Sequence, residues 1–209
     1  MRYSLSMITR TKIRLPLILA SFLLFVTVCT HASNSPPAFP SALTVIDEGE
    51  LREMRLTGRS KRMVLFFRVY EIAHYAEIAQ QPPLSLQNVV SDDRAKAIMI
   101  AFKRKLDRDQ IRDEFAKSLR KNARKDWLDT AEPTIELFLQ AIDRDARDGD
   151  TLIFYWLEGG RLSVEFNGEA SFAANDTAFA RLIWSIWFGD NPACDREQLL
   201  ARVSVEGNA

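Results

Sequence analysis

The chain has 209 residues, of which 47% are hydrophobic and 27% charged, and its 28 basic and 28 acidic side chains give a formal charge of +0. That is apolar enough for one buried core and too apolar for a disordered chain, and without a basic surplus it argues against a nucleic-acid partner. Two cysteines are too few for a disulfide framework.

The first elements are targeting signals. Arg2, Arg10, Lys12 and Arg14 precede an apolar run from Leu15 to Val28, and Thr30-His31-Ala32 has the small-x-small character of a cleavage site. Residues 1–32 are therefore expected to be a signal peptide cleaved near Ala32, which directs the chain to a periplasmic or secreted location. A retained anchor is the alternative, but the apolar run spans about 21 Å as a helix against a hydrocarbon core of roughly 30 Å. A lipoprotein signal at Cys29 would want a small residue where Val28 stands. Removing the leader lowers the formal charge to about −4 and leaves Cys194 and His74 as the last cysteine and histidine. The mature chain then has no internal disulfide, no metal site, no cofactor motif, and no basic surplus for stable membrane insertion.

Residues 33–40, SNSPPAFP, form an extended proline-rich leader, and the domain proper is expected over 41–205. Leu51–Leu56 and Arg62–Ala73 read as a strand pair with its turn at Gly58–Lys61. Gln80–Leu84 breaks the pattern with two prolines, and Ala95–Leu106 places Ile98, Ile100 and Phe102 at period two, as in a strand. Asp107 caps a helix carrying Ile111, Phe115 and Leu119, and Thr130 caps another carrying Ile135, Phe138, Leu139 and Ile142. Thr151–Leu157 and Leu162–Phe166 form a hairpin across Gly159-Gly160, and Asn167-Gly168 is the next turn. Phe179, Leu182, Ile183, Ile186 and Trp187 make a buried helical stripe ending at Gly189, and Asp195 caps a last short helix. Hairpin-linked strands with helices in separate blocks predict an α+β domain, an antiparallel sheet with helices on one face.

Within Leu56–Tyr75, LTGRSKRMVLFFRVYEIAHY, arginine and tyrosine are embedded in an apolar strand-like run. An arginine laid against apolar surface needs an anion or hydroxyl partner, so Arg62 is a candidate ligand anchor. Against this, Arg62 and Arg68 would simply reach water from a half-buried strand.

Leu56-Thr57-Gly58 with Arg62, then Phe66-Phe67-Arg68-Val69-Tyr70 and Ala73-His74-Tyr75, resemble the bacterial chalcone isomerase-like family. The likeness continues through Gly149-Asp150, Gly160 with Asn167-Gly168, Ile186-Trp187-Phe188-Gly189-Asp190-Asn191-Pro192 and Leu199-Leu200. It implies an open-faced β-sandwich, a long antiparallel sheet under a layer of helices, with a ligand cleft between them. In the plant fatty-acid-binding relatives an arginine and a tyrosine 13 residues on hold the carboxylate, and Arg62 and Tyr75 have that spacing. In a regular strand an odd separation puts the two on opposite faces. A bulge near Ala73 would restore the match; without one, Tyr70 is the better partner. Plant chalcone isomerase uses the matching arginine to stabilise an attacking phenolate and a developing enolate, which would make Arg62 and Tyr70 the catalytic candidates in an enzyme. Its threonine position falls at about Tyr70, the family's glycine before the arginine is Ser60 here, and its A-L-Y leucine is His74.

Other features read as structural. His74 is expected in the interior with one hydrogen bond or at a wet edge, with a general base as the alternative. Trp127, Trp156, Trp184 and Trp187 are core and cleft-lining aromatics, Asp143–Asp150 is a solvated turn, Lys103–Arg124 is a wet helix face, and Cys194 is inert. The resulting expectation is an exported, non-catalytic protein that binds a small amphipathic or aromatic acid, such as a fatty acid, through Arg62 with Tyr75 or Tyr70. An intramolecular lyase acting on an enone is one alternative. An envelope interaction protein, with Arg62 salt-bridged to Asp92, Asp93 or Glu71, is the other.

Overall fold

The computed structural model describes residues 39–77 and 80–203, so the leader expected over 1–32 and nearly all of the proline-rich segment lie outside the described residues. Seven strands pair antiparallel in sequential order: β1 (Ala42–Asp47), β2 (Glu50–Val64), β3 (Phe67–Ala76), β4 (Lys96–Phe102), β5 (Thr151–Leu157), β6 (Arg161–Phe166) and β7 (Glu169–Asn175). Helices α1 (Arg108–Asn122) and α2 (Lys125–Ala141) interrupt the meander after β4, and α3 (Thr177–Phe188) and α4 (Arg196–Leu199) follow β7. This is the predicted α+β architecture.

β4 is buried along its whole length because both faces of the sheet are covered there. Ile98, Ile100 and Phe102 join Phe154, Trp156, Val164 and the apolar stripes of the helices in the main core. Ala97, Met99 and Ala101 face the other way and pack with Ala73, Tyr75, Met54, Leu56 and Tyr155. The second face is closed by curling of the sheet. Arg161 on β6 donates to Asp47 on β1 at 3.0 Å, although five flat inter-strand steps would separate those strands by roughly 24 Å. Alanines at the inside of the curl leave room for it.

Four expectations need correction. β1 and β7 were not anticipated, since each is short and mostly half-exposed, without strong apolar alternation. The turn predicted at Gly58–Lys61 is instead the middle of the 15-residue β2, and the chain reverses at Leu65–Phe66. Gly58 is there for close approach: a Cβ would lie 2.1 Å from the Gln198 carbonyl oxygen and 2.5 Å from the Leu199 carbonyl carbon. The second helix begins at Lys125, before Thr130, because Trp127 and Leu128 already pack on the core a turn earlier. Thr130 donates its hydroxyl to the Asp126 carbonyl at 2.8 Å from within that helix. The caps at Asp107 and Asp195 are as predicted: the Asp107 amide donates to Gln110 Oε1, and Asp195 accepts from the Gln198 amide.

Candidate ligand-binding cleft

Register decides which side chains of the β2–β3 hairpin meet. Val64 pairs with Phe67 and Met63 with Arg68 around the two-residue turn. Continued regularly, Arg62 would face Val69, but an extra residue on β3 puts Tyr70 opposite Arg62 instead. Val69 and Tyr70, adjacent in sequence, consequently both line one cleft, which a regular strand would forbid. From Tyr70 to Tyr75 the strand is uninterrupted, so the bulge near Ala73 that would have matched Tyr75 to Arg62 is absent. A second irregularity lies on β2, where Thr57 is the extra residue between Leu56 and Gly58. Arg62 and Tyr70 share the helix-facing side, whereas Tyr75 is buried in the other core and donates to the Pro40 carbonyl at 3.1 Å.

The cleft lies between this end of the sheet and α1 and α3, with a volume of about 530 Å³, within the range of small-molecule sites. Its apolar interior comes from Ile100, Phe102, Ile111, Ile186 and Trp187, and its rim carries Arg104, Asp113, Glu114 and Lys117. Arg62 donates one N–H to the Ala193 carbonyl at 2.9 Å and, among the described residues, pairs with no carboxylate. The acids considered as its partners are engaged elsewhere: Asp92 with Arg94, Asp93 with Trp156 and the Gly159 amide, and Glu71 with Arg68 and Lys103.

Trp187 Nε1 donates to Tyr70 Oη at 3.0 Å. The phenol therefore keeps its own proton to donate, and burial holds its pKa above the ordinary tyrosine value despite the nearby Trp187 bond and Arg62. Arg62 and Tyr70 thus offer cationic and neutral donors side by side, a set suited to the oxygens of a carboxylate. Ser60, one step along β2, faces the Cys194 thiol without a well-formed hydrogen bond. Burial pushes that thiol up to about 11, as an inert cysteine requires.

His74 is fully buried and uses both ring nitrogens. Trp184 Nε1 donates to its Nε2 at 3.2 Å, so Nδ1 carries the proton and donates to Thr57 Oγ1 at 2.7 Å. The Thr57 hydroxyl donates to the Leu199 carbonyl at 2.8 Å. Burial, then the neighbouring Lys96, lowers the His74 pKa well below its usual value. His74 is thus an interior residue with two hydrogen bonds where one was expected.

Lys96 went unremarked in the sequence, though a lysine at the same parity as Ile98, Ile100 and Phe102 was a visible signal. Its ammonium lies 3.7 Å from the Trp156 ring centroid and donates to the carbonyls of Val89, at 2.7 Å, and Asp92. Trp187 was legible as a cleft aromatic, but not its bond to Tyr70.

The family model for chalcone isomerase-like proteins matches residues 38–200. The chain belongs to the chalcone isomerase-like family. No curated protein matches it at a significant level. Among solved structures, a fatty-acid binding protein of Arabidopsis thaliana superposes with a TM-score of 0.56 at 16% identity, covering 80% of this chain and 100% of that one. That likeness establishes the fold, a curled antiparallel sheet with helices on one face.

Proposed function

We propose that this chalcone isomerase-like protein is a non-catalytic binder of a small amphipathic acid, such as a fatty acid. In this reading the carboxylate rests on Arg62 and Tyr70 and the apolar part fills the cleft. One observation carries the proposal: a guanidinium with no carboxylate partner among the described residues, at an apolar cleft beside a phenol with a proton to give. The fatty-acid binding of the Arabidopsis structural neighbour supports the ligand class. Binding is favoured over turnover because His74, the residue considered as a general base, is buried outside the cleft lining with both ring nitrogens occupied. Export is proposed from the N-terminal sequence alone.

Native mass spectrometry of the purified protein, with titration of a fluorescent fatty acid, tests the reading. Wild type is expected to carry or take up an acid, and Arg62→Ala to weaken uptake by about tenfold or more, the worth of a charged hydrogen bond. Tyr75→Phe should bind as wild type does. Equal binding by wild type and Arg62→Ala, or none by wild type, overturns the proposal.

A further inference from the structure

We propose that the tip of the β2–β3 hairpin is a membrane-insertion element that seats the mouth of the cleft on an anionic lipid bilayer. Five consecutive apolar residues, Met63 to Phe67, form the tip, and Leu65, Phe66 and Phe67 are 84%, 92% and 64% exposed. The two phenylalanines alone present on the order of 300 Å² of ring surface, comparable to the largest apolar patch on a typical monomer.

The tip is a protrusion. β3 last pairs with β4 at Tyr70–Phe102, and β2 last pairs with β1 at Arg55–Ala42, so among the described residues no strand lies beside 63–68 on either edge. Leu65 occupies the turn at φ +54°, where two-residue hairpins ordinarily place Gly, Asn or Asp. A Leu-Phe turn therefore opposes both turn preference and solubility, and insertion into hydrocarbon gives that choice a physical use.

The collar of the tip is basic. Lys61, Arg62 and Arg68 flank it, and Lys103 is tied beside it by its amide to the Val69 carbonyl at 3.0 Å, while the cleft mouth behind it balances Arg104 and Lys117 against Asp113 and Glu114. Glu71, the single carboxylate of the stretch 61–71, is shared between Arg68 at 2.6 Å and Lys103 at 3.2 Å. The opposite hairpin tip shows the contrast, with exposed Ile46 and Leu51 set among Asp47, Glu48 and Glu50. An apolar wedge with a cationic collar complements an anionic bilayer, whose surface attracts the collar while its interior takes the wedge. A narrow convex tip lacks the roughly 800 Å² per partner of a stable protein interface. The overall charge, which argued against anionic membranes, averages this local patch away. A five-residue apolar tip is shorter than the roughly 9 residues a strand needs to span a bilayer, so attachment through it is interfacial.

Insertion would bring Arg62 to headgroup level and give an acid a path from bilayer to cleft. That consequence rests on the carrier reading, whereas insertion itself does not. The test uses the full chain bearing Phe66→Trp, mixed with phosphatidylcholine vesicles with and without phosphatidylglycerol and with brominated acyl chains. The introduced indole should blue-shift and be quenched by bromine in anionic vesicles. Lys61→Glu with Arg68→Glu should abolish the quenching, and Phe66→Asp in the otherwise wild-type chain should cut vesicle partitioning about tenfold. An indole that stays solvent-exposed while the protein sediments with vesicles would show attachment through the leader and overturn the proposal. A blue shift that grows with protein concentration in the absence of lipid would assign the tip to self-association and overturn it equally. Ligand uptake is scored separately, so loss of either reading leaves the other standing.

Discussion

Replacing Lys96 by methionine should change how stability depends on pH, by an amount that follows from its burial. The side chain is fully buried, and burial pushes its pKa down to about 7 against the opposing pull of Asp92 and Asp93. In the unfolded chain the value returns to about 10.4. The folded value is thus depressed, and between about pH 7 and 10.4 the unfolded state holds a proton that the folded state lacks. Stability from this group rises with pH across that window, at about 1.4 kcal/mol per unit, and is lost as pH falls to 7. Across the window this amounts to about 5 kcal/mol, large beside a typical total of 5–15 kcal/mol. Lys96→Met keeps much of the volume and removes the titration, at the cost of the donors to the Val89 and Asp92 carbonyls, a loss that does not vary with pH. Urea unfolding of both proteins from pH 7.5 to 9.5 isolates the effect, because His74, whose pKa Lys96 helps to lower, is neutral there in both the folded and the unfolded chain. The wild type should gain on the variant by about 1.4 kcal/mol per unit above pH 7. A difference that stays constant from pH 7.5 to 9.5 would refute the burial argument for Lys96.

Two further substitutions test the packing around the cleft. Gly58→Ala should destabilise by about 3 kcal/mol in thermal or urea unfolding, because its methyl would meet backbone atoms of Gln198 and Leu199 that no rotamer change can move. The Arg202 amide, which donates to the Thr57 carbonyl at 2.9 Å, should then lose hydrogen-exchange protection first. Ile111 lines both the cleft and a small, partly open pocket of about 40 Å³ shared with Phe102, Phe138, Leu152 and Val164. Ile111→Ala should cost about 2–5 kcal/mol and shift the preference of the cleft toward longer acids in a competition series. An unchanged preference would mean that the cleft ends at Ile111.

Much of the fold was legible because strong periodicity and caps coincided. The buried run of β4, the α3 stripe, and the Asp107 and Asp195 caps each carry a local signal that tertiary packing reinforces. The long β2 was misread because Gly58 looks like a turn residue, and its real reason, backbone passing over it from the far end of the chain, has no local trace. Leu65–Phe66 was missed as a turn for the converse reason, since nothing about Leu-Phe announces a reversal. Arg62 could be singled out as a charge in an apolar run. Parity along a single strand pointed to Tyr70 as its partner, but the face the two share is set by the register of the hairpin, because the chain reverses between them.

The two irregularities of the hairpin explain why the candidate site exists at this end of the sheet. The extra residue near Val69 sets Tyr70 against Arg62, and the extra residue at Thr57 restores the earlier register. Between them Gly58, Ser60 and Arg62 face the helices, together with Tyr70, Ile72 and His74 on the paired strand. The segment after α3 then fastens both ends of this window through its own carbonyls: Ala193 accepts from Arg62, and Leu199 accepts from Thr57. Backbone acceptors are neutral, so they orient the guanidinium without cancelling its charge, whereas a carboxylate in the same place would have done both. A positively charged group held in position beside a largely apolar cleft and in no ion pair among the described residues is what an anion-binding site requires and a structural ion pair does not supply. The arrangement therefore favours recognition over scaffolding as the role of Arg62.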